Sequence, residues 1–255
     1  MKDRTRLFIT GVIALGALAV TMGGHGINFQ FGDDQDPSGD RHHGEGARTI
    51  ADLKDFNAVI ATGPDDIVIT HGDGFAVTAE GDTETLERLK FRVAEGTLHV
   101  ERDSRKGWSM GRGDSAKILI SLPALHRVTL TGPGDMRIDK LDGKDVEAKV
   151  TGPGDLTIDA LAAETARFSL TGPGDISVVG SATSANLSAT GSGNIRASKL
   201  TTQRAALKLI GSGDIAVHAT QGAEISITGS GNARVRGTTA CKVTTIGPGD
   251  ADCRS

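Results

Sequence analysis

Seven side chains able to hold a cation or accept a backbone N–H recur at nearly equal steps: Asp135, Asp155, Asp175, Asn194, Asp214, Asn232 and Asp250. Each closes the same phrase, Gly-(Pro/Ser)-Gly-(Asp/Asn), whose copies begin at Gly132, Gly152, Gly172, Gly191, Gly211, Gly229 and Gly247. If the phrases stack, neighbouring carboxylates lie about 5 Å apart and repel by about 0.8 kcal/mol in water, or about 3 kcal/mol at an effective dielectric of 20. Something must offset that repulsion. Side chains that cap backbone N–H groups would do so, and so would a cation held between turns. Asn and Asp interchange along the column, which suits an N–H acceptor better than an ion site. Calcium-binding β-roll repeats also use a different phrase, at a period of about nine residues. The expectation is a structural capping column with a cation site as the alternative, and no metal centre or cofactor is assigned.

Other chemistry is sparse. Glycoside hydrolysis wants one pair of carboxylates at a fixed separation in a cleft, whereas here carboxylates recur evenly. The chain has no Tyr and one Trp, Trp108, so a sugar-stacking groove is hard to build. His71, His99, His126 and His218 are scattered, with no triad order and no Cys nucleophile among them. No catalytic residue is assigned; a polysaccharide-active enzyme remains the alternative to a binding protein, and a purely structural spacer is a third reading. The polar loop Asp103–Ser115 gathers Arg105, Lys106, Trp108 and Arg112 beside Arg102, a basic-aromatic patch that is the best single contact-site candidate. It also holds Arg112-Gly113-Asp114, similar to the integrin-binding tripeptide, although three common residue types match by chance often. A net charge of −4 with both signs scattered argues against a nucleic-acid partner.

The elements that must position the column follow from the period. The phrases recur at steps of 20, 20, 19, 20, 18 and 18 residues, which means stacked structural units. Apolar residues hold one phase on both sides of each phrase: Leu130, Val150 and Leu170 before it, Leu156/Ile158 and Ile176/Val178 after it. Thr, Ser, Lys and Arg lie between them. This alternation predicts half-buried strands. Pro at the second turn position and Gly at the third predict a type II turn with positive φ at that second glycine. At about 4.8 Å per strand, seven units make a rod of roughly 34 Å. The fold expected is an all-β β-solenoid in the form of a parallel β-helix, with an antiparallel meander as the runner-up.

The ends are read separately. Lys2, Arg4 and Arg6 precede an apolar run from Leu7 to Val20, with Ala17-Leu18-Ala19 as a small-x-small cleavage site. At about 14 residues the run fits a secretory signal better than a span of about 20, with an uncleaved anchor as the alternative. No Cys follows it, so no lipoprotein anchor is expected, and no later segment is expected to cross a membrane. Residues 1–22 are thus read as signal or anchor, 23–48 as a Gly/Asp/His-rich linker, and 49–255 as the solenoid domain. His25, His42 and His43 on the linker are read as incidental. Cys241 and Cys253 lie six residues either side of Gly247 on the inward phase and are expected to pair, as an exported chain favours. Before the repeats, Gly63-Pro64-Asp65-Asp66 is a degenerate copy lacking the second Gly. Asp82 precedes an acidic first turn and predicts a short helix capping one end of the stack. Strands are expected at Phe91–Val93, Leu98–Glu101 and Ala116–Leu122.

The ordered set of Phe56-Asn57-Ala58-Val59, Thr62-Gly63-Pro64, Ile67-Val68-Ile69-Thr70-His71-Gly72, Gly96-Thr97-Leu98-His99-Val100 and Ile118-Leu119-Ile120-Ser121-Leu122-Pro123-Ala124-Leu125, followed by the repeated phrase, resembles the "GIN" head domain of auto-transporter adhesins. The resemblance covers roughly residues 50 to 250. It implies a right-handed β-helix-like fold, a periplasmic or cell-surface location, and a protein or glycan partner. An auto-transporter would also carry a C-terminal translocating barrel, and none is expected between the last repeat and Ser255.

Overall fold

The computed structural model describes residues 45–103 and 115–255. Period-two alternation in the sequence becomes alternating burial along each strand, and the phrases become the corners between strands. Strands β2 (Ala58–Thr62) and β8 (Arg127–Thr131) each enter such a corner, and β6 (Thr97–Arg102) lies in register beside β2. Strands β3 (Asp66–His71) and β9 (Met136–Ile138) leave one, and β7 (Lys117–Leu122) lies in register beside β3. From β10 (Leu141–Thr151) the strands lengthen: β11 (Leu156–Gly172), β12 (Ile176–Gly191), β13 (Ile195–Gly211) and β14 (Ile215–Gly229) each run nearly the whole way round a turn. Register shifts after Ile158, Ser177 and Ala197 mark where they bend. The last turns are β15 (Ala233–Arg236), β16 (Cys241–Ile246) and β17 (Ala251–Arg254).

All pairing along the repeats is parallel and phrase-aligned: Thr151 faces Thr171, Thr171 faces Thr190, and Gly172 faces Gly191. This is a β-solenoid, and the meander is excluded. The core is a column of stacked aliphatic ladders, such as Val128–Ala148–Phe168–Leu187–Leu207–Ile225, every member at most 3% exposed. Stacking buries each unit's apolar face between its neighbours, which one unit alone cannot do.

Stack order is not chain order at the N-terminal end. The degenerate copy is stacked directly on the first regular one, with β2 pairing β8 and β3 pairing β9. The later strands β6 and β7 lie on the outer side of β2 and β3. Beyond them the parallel ladder stops. Strand β5 (Leu89–Ala94) closes β6 antiparallel, and β4 (Ala76–Asp82) closes β7 antiparallel, with β1 (Glu45–Ile50) on its far edge. Strand β1 therefore begins inside the segment read as linker. The helix α1 (Thr83–Arg88) lies at this end, as expected, with the Asp82 carboxylate accepting the Thr85 N–H at 2.9 Å. It buries Leu86 and continues into β5.

At the other end, Cys241 and Cys253 form a disulfide between β16 and β17, with Cα atoms 6.6 Å apart. It ties together the two sides of the last turn around the Gly247 corner. The twelve-residue separation predicts that reduction costs about 3 kcal/mol of stability. The measurement is thiol labelling in denaturant: no Cys should react until reductant is added, and quantitative labelling without it would remove the bridge.

The turn geometry corrects one expectation. Positive φ falls on the first glycine of each phrase, 119° to 125° at Gly152, Gly172, Gly191, Gly211 and Gly229, and the second glycine has none. The corner is therefore not a type II turn. Its second glycine is required for a different reason: at Gly154, Gly174, Gly193 and Gly213 an added Cβ would overlap the carbonyl oxygen of the equivalent glycine one turn away. The backbones approach too closely there for any side chain.

Candidate functional site: the corner column and the Thr/Ser face

At the corners from Asp135 to Asp214 the fourth residue of the phrase faces outward and its side chain reaches across to the next turn. The Asp135 carboxylate accepts the Asp155 N–H at 2.9 Å, and Asp155 accepts that of Asp175 at 2.8 Å. Asp175 accepts from Asn194, Asn194 from Asp214, and Asp214 from Asn232, at 2.8 to 3.0 Å. The bonds run between turns, so each side chain both caps a corner and fixes the register of the next one. Sequence reasoning missed the head of the column. Asp66 accepts the Asp135 N–H at 3.0 Å, a role its place as fourth residue of the degenerate copy could have signalled. Asp250, at the far end, has no further described turn to cap.

The interchange of Asp and Asn has a physical reason. Asn194 and Asn232 each donate their amide to the preceding Asp, at 2.8 and 3.0 Å, removing like-charge neighbours from that half of the column. Two residues on, Arg196 and Arg234 reach the outer oxygens of Asp175 and Asp214, at 2.6 and 3.3 Å. Burial pushes the Asp175 carboxyl up, but the Asn194 N–H, the Arg196 guanidinium and the Asn194 amide together hold it below its ordinary value. In the first half, Asp135 and Asp155 are exposed, so water screens them, and Arg137 turns to Asp159 at 2.9 Å instead. Among the described residues, no group of three or more His, Cys, Asp or Glu is arranged to hold a metal ion.

The expected result for the column is that chelator leaves the melting temperature unchanged and millimolar calcium raises it by less than about 1 °C. Calcium at a hundred times its dissociation constant would add about 2.7 kcal/mol, a rise of several degrees. Such a rise would make the carboxylates of Asp135, Asp155 and Asp175 a cation site.

Of the basic-aromatic patch, Arg105, Lys106, Trp108 and Arg112 lie outside the described residues, as does the Arg-Gly-Asp tripeptide except for its neighbour Ser115. Residues His25, His42 and His43 lie outside them too. Arg102 is described, and its placement differs from a surface patch. Its guanidinium is 8% exposed and forms a bidentate pair with Asp65, Nε at 2.9 Å and Nη2 at 2.5 Å. Asp65 also accepts the Ala116 N–H at 2.8 Å. It occupies the position of the phrase's second glycine. The Asp65 side chain instead reaches Arg102 and Ala116, which flank the segment read as the 103–115 loop. The pair fastens both ends of that loop to the stack.

The surface with regular chemistry is the face that enters the corners. Its outermost column is Thr131, Thr151, Thr171, Thr190, Ile210 and Thr228, in direct ladder register. Two residues earlier runs Thr129, Lys149, Ser169, Ser188, Lys208 and Ser226 in the same register. A shallow depression of ≈ 450 Å³ lies on this face, lined by Arg167, Ser169, Asn186, Ser188 and Lys208 among others. Hydroxyls and cations thus repeat at the strand spacing of about 4.8 Å, over a surface made rigid by the ladders beneath it. At its far edge Lys242 bonds Glu224 at 2.8 Å, holding that carboxyl below and the ammonium above their ordinary values.

These observations define the class: a parallel β-solenoid with a repetitive outer face. The chain belongs to the family described as "Putative auto-transporter adhesin, head GIN domain", which matches residues 55–239. Solved structures share the fold. One is described as a putative adhesin from Bacteroides fragilis NCTC 9343, with a TM-score of 0.76 at 24% identity over 82% of this chain and 97% of that one. Another, described as a putative lipid binding protein from Parabacteroides distasonis ATCC 8503, gives 0.66 at 22% over 83% and 97%. A putative adhesin from Parabacteroides merdae ATCC 43184 gives 0.62 at 20% over 82% and 95%. No curated protein matches the chain. No helix among the described residues is long and apolar enough to cross a membrane.

Proposed function

We propose that this is an exported, non-catalytic envelope protein that uses its solenoid as an adhesin-like scaffold, presenting the Thr/Ser face to a protein or glycan partner. Residues 1–22 serve as the export signal or anchor and the Gly/Asp/His-rich segment after them as a tether, placing the domain in the periplasm or at the cell surface. The disulfide supports that compartment, because such bonds persist in oxidising surroundings. One observation carries the reading: the Thr131–Thr151–Thr171–Thr190 ladder and its Ser/Lys neighbour face outward, in register, from ladders whose alternate residues form the core. A polymer with its own short repeat meets the same donors and acceptors at every turn, so weak contacts add through multiplicity.

A glycan array and a pull-down from envelope fractions, both with the domain, test it. Retention should fall at least tenfold when Ser169, Ser188 and Thr190 are changed together to Glu, with the melting temperature retained. Equal retention by that variant overturns the face assignment. Release of reducing ends or unsaturated uronates from any bound glycan overturns the non-catalytic reading.

A further inference from the structure

The two ends of the solenoid are finished differently. At the N-terminal end the parallel ladder is stopped by the antiparallel strands β5 and β4, with β1 and α1 behind them. At the other end β16 and β17 pair inward only, to β14 and β15, and their outer backbone edges meet no described residue. The consequence shows in the core column. Val243 occupies the position of Val128, Phe168 and Ile225, which are 0%, 2% and 1% exposed, yet it is 45% exposed. Ile246 stands where most turns carry Thr and is 66% exposed. Two of the four large exposed hydrophobics among the described residues are thus on this one edge strand. An open edge bearing apolar side chains is a template for another strand.

We infer that this edge is the contact surface for a second copy of the chain, docked end to end about a two-fold axis with β16 antiparallel to its counterpart. Polarity selects this occupant. A second copy stacking in the same sense would have to present its N-terminal end, and that end is already closed by antiparallel strands. Only the two open ends can meet, and two identical edges pair about a two-fold axis into a closed dimer. The strand is self-complementary in that arrangement. With Thr244 on the axis, Val243 lies opposite Thr245 and Lys242 opposite Ile246, so no like charges face each other, and both pairs keep their inward or outward side. The cores of the two solenoids become one, covering Val243. The resulting rod is twice as long and carries its Thr/Ser faces on both halves. The inference stands apart from what those faces bind.

Sedimentation equilibrium of the chain should give twice the monomer mass at tens of micromolar. Ile246→Lys, a change at an exposed position that leaves the fold intact, should weaken the dimer at least tenfold. Thr244→Cys should form a covalent dimer on mild oxidation, because the two residues meet on the axis. Ser226→Cys, one turn inward in the same column, should not. Monomer at 100 micromolar, equal cross-linking of the two cysteine variants, or an open-ended series of larger species overturns the proposal.

Discussion

A Gly174→Ala variant is expected to lose about 3 kcal/mol or more, seen as a urea midpoint lower by about 1 M at an m-value of about 3 kcal/mol/M. The added Cβ would overlap the Gly154 carbonyl oxygen and stand 3.0 Å from the Gly152 oxygen and the Pro153 carbonyl carbon. All three are backbone atoms held by the corner's own ladder, including the Gly174 N–H to Gly152 bond of 3.1 Å. No side chain can swing aside, so the turns must separate, and neighbouring ladders separate with them. Ser192→Ala, at the exposed second position of the next corner, is the control and should change stability by less than about 0.5 kcal/mol. Gly172→Ala tests the other glycine: there φ is 124° and the new Cβ would come within 2.7 Å of the Gly152 oxygen, so backbone strain and overlap act together. An unchanged midpoint for Gly174→Ala would mean that the corners do not stack as closely as described.

An Asp65→Ala variant is expected to destabilise the domain by about 3–5 kcal/mol, the range for removing one member of a buried ion pair. Asp65 and Arg102 are 5% and 8% exposed at their side chains, so the guanidinium would be left charged, dry and without its carboxylate. The Ala116 N–H would lose its acceptor as well. Replacing Arg102 by Leu in the same chain should recover part of the loss, because the orphaned charge goes with it. Thermal melts of the two single variants and the double variant give the coupling directly. A single-variant loss below about 1 kcal/mol would show that water reaches this corner freely.

Much of the architecture was legible because it is periodic. The alternation around Leu170, Leu156 and Ile176 reports strand faces directly, and the fixed step from Gly152 to Gly172 reports the unit that stacks; the choice of parallel ladders over a meander came from the strand pairing. The cap at Asp82 was legible for a local reason, its carboxylate bonding an N–H three residues on. The pairing of Cys241 with Cys253 followed from their symmetric places about a corner. The turn type was not legible. Pro-Gly fits a type II turn locally, but the distance to the neighbouring turn, a non-local quantity, set which glycine takes positive φ and which one must be bare.

The sequence by itself determined the repeating unit, its strand faces, the bridge and the column of N–H acceptors, because each depends on spacing within one or two units. Only the tertiary structure decided the order of stacking. It inserted β6 and β7 outside β2 and β3, made Asp66 the head of the column, and turned Arg102 from a surface cation into a buried partner of Asp65. Among the described residues it also closed one end of the stack with antiparallel strands and left β16 and β17 paired on one side only. The reason is that strand pairing between segments tens of residues apart is settled by which backbone edges find partners and which charges can be buried together, and neither is written in a local pattern.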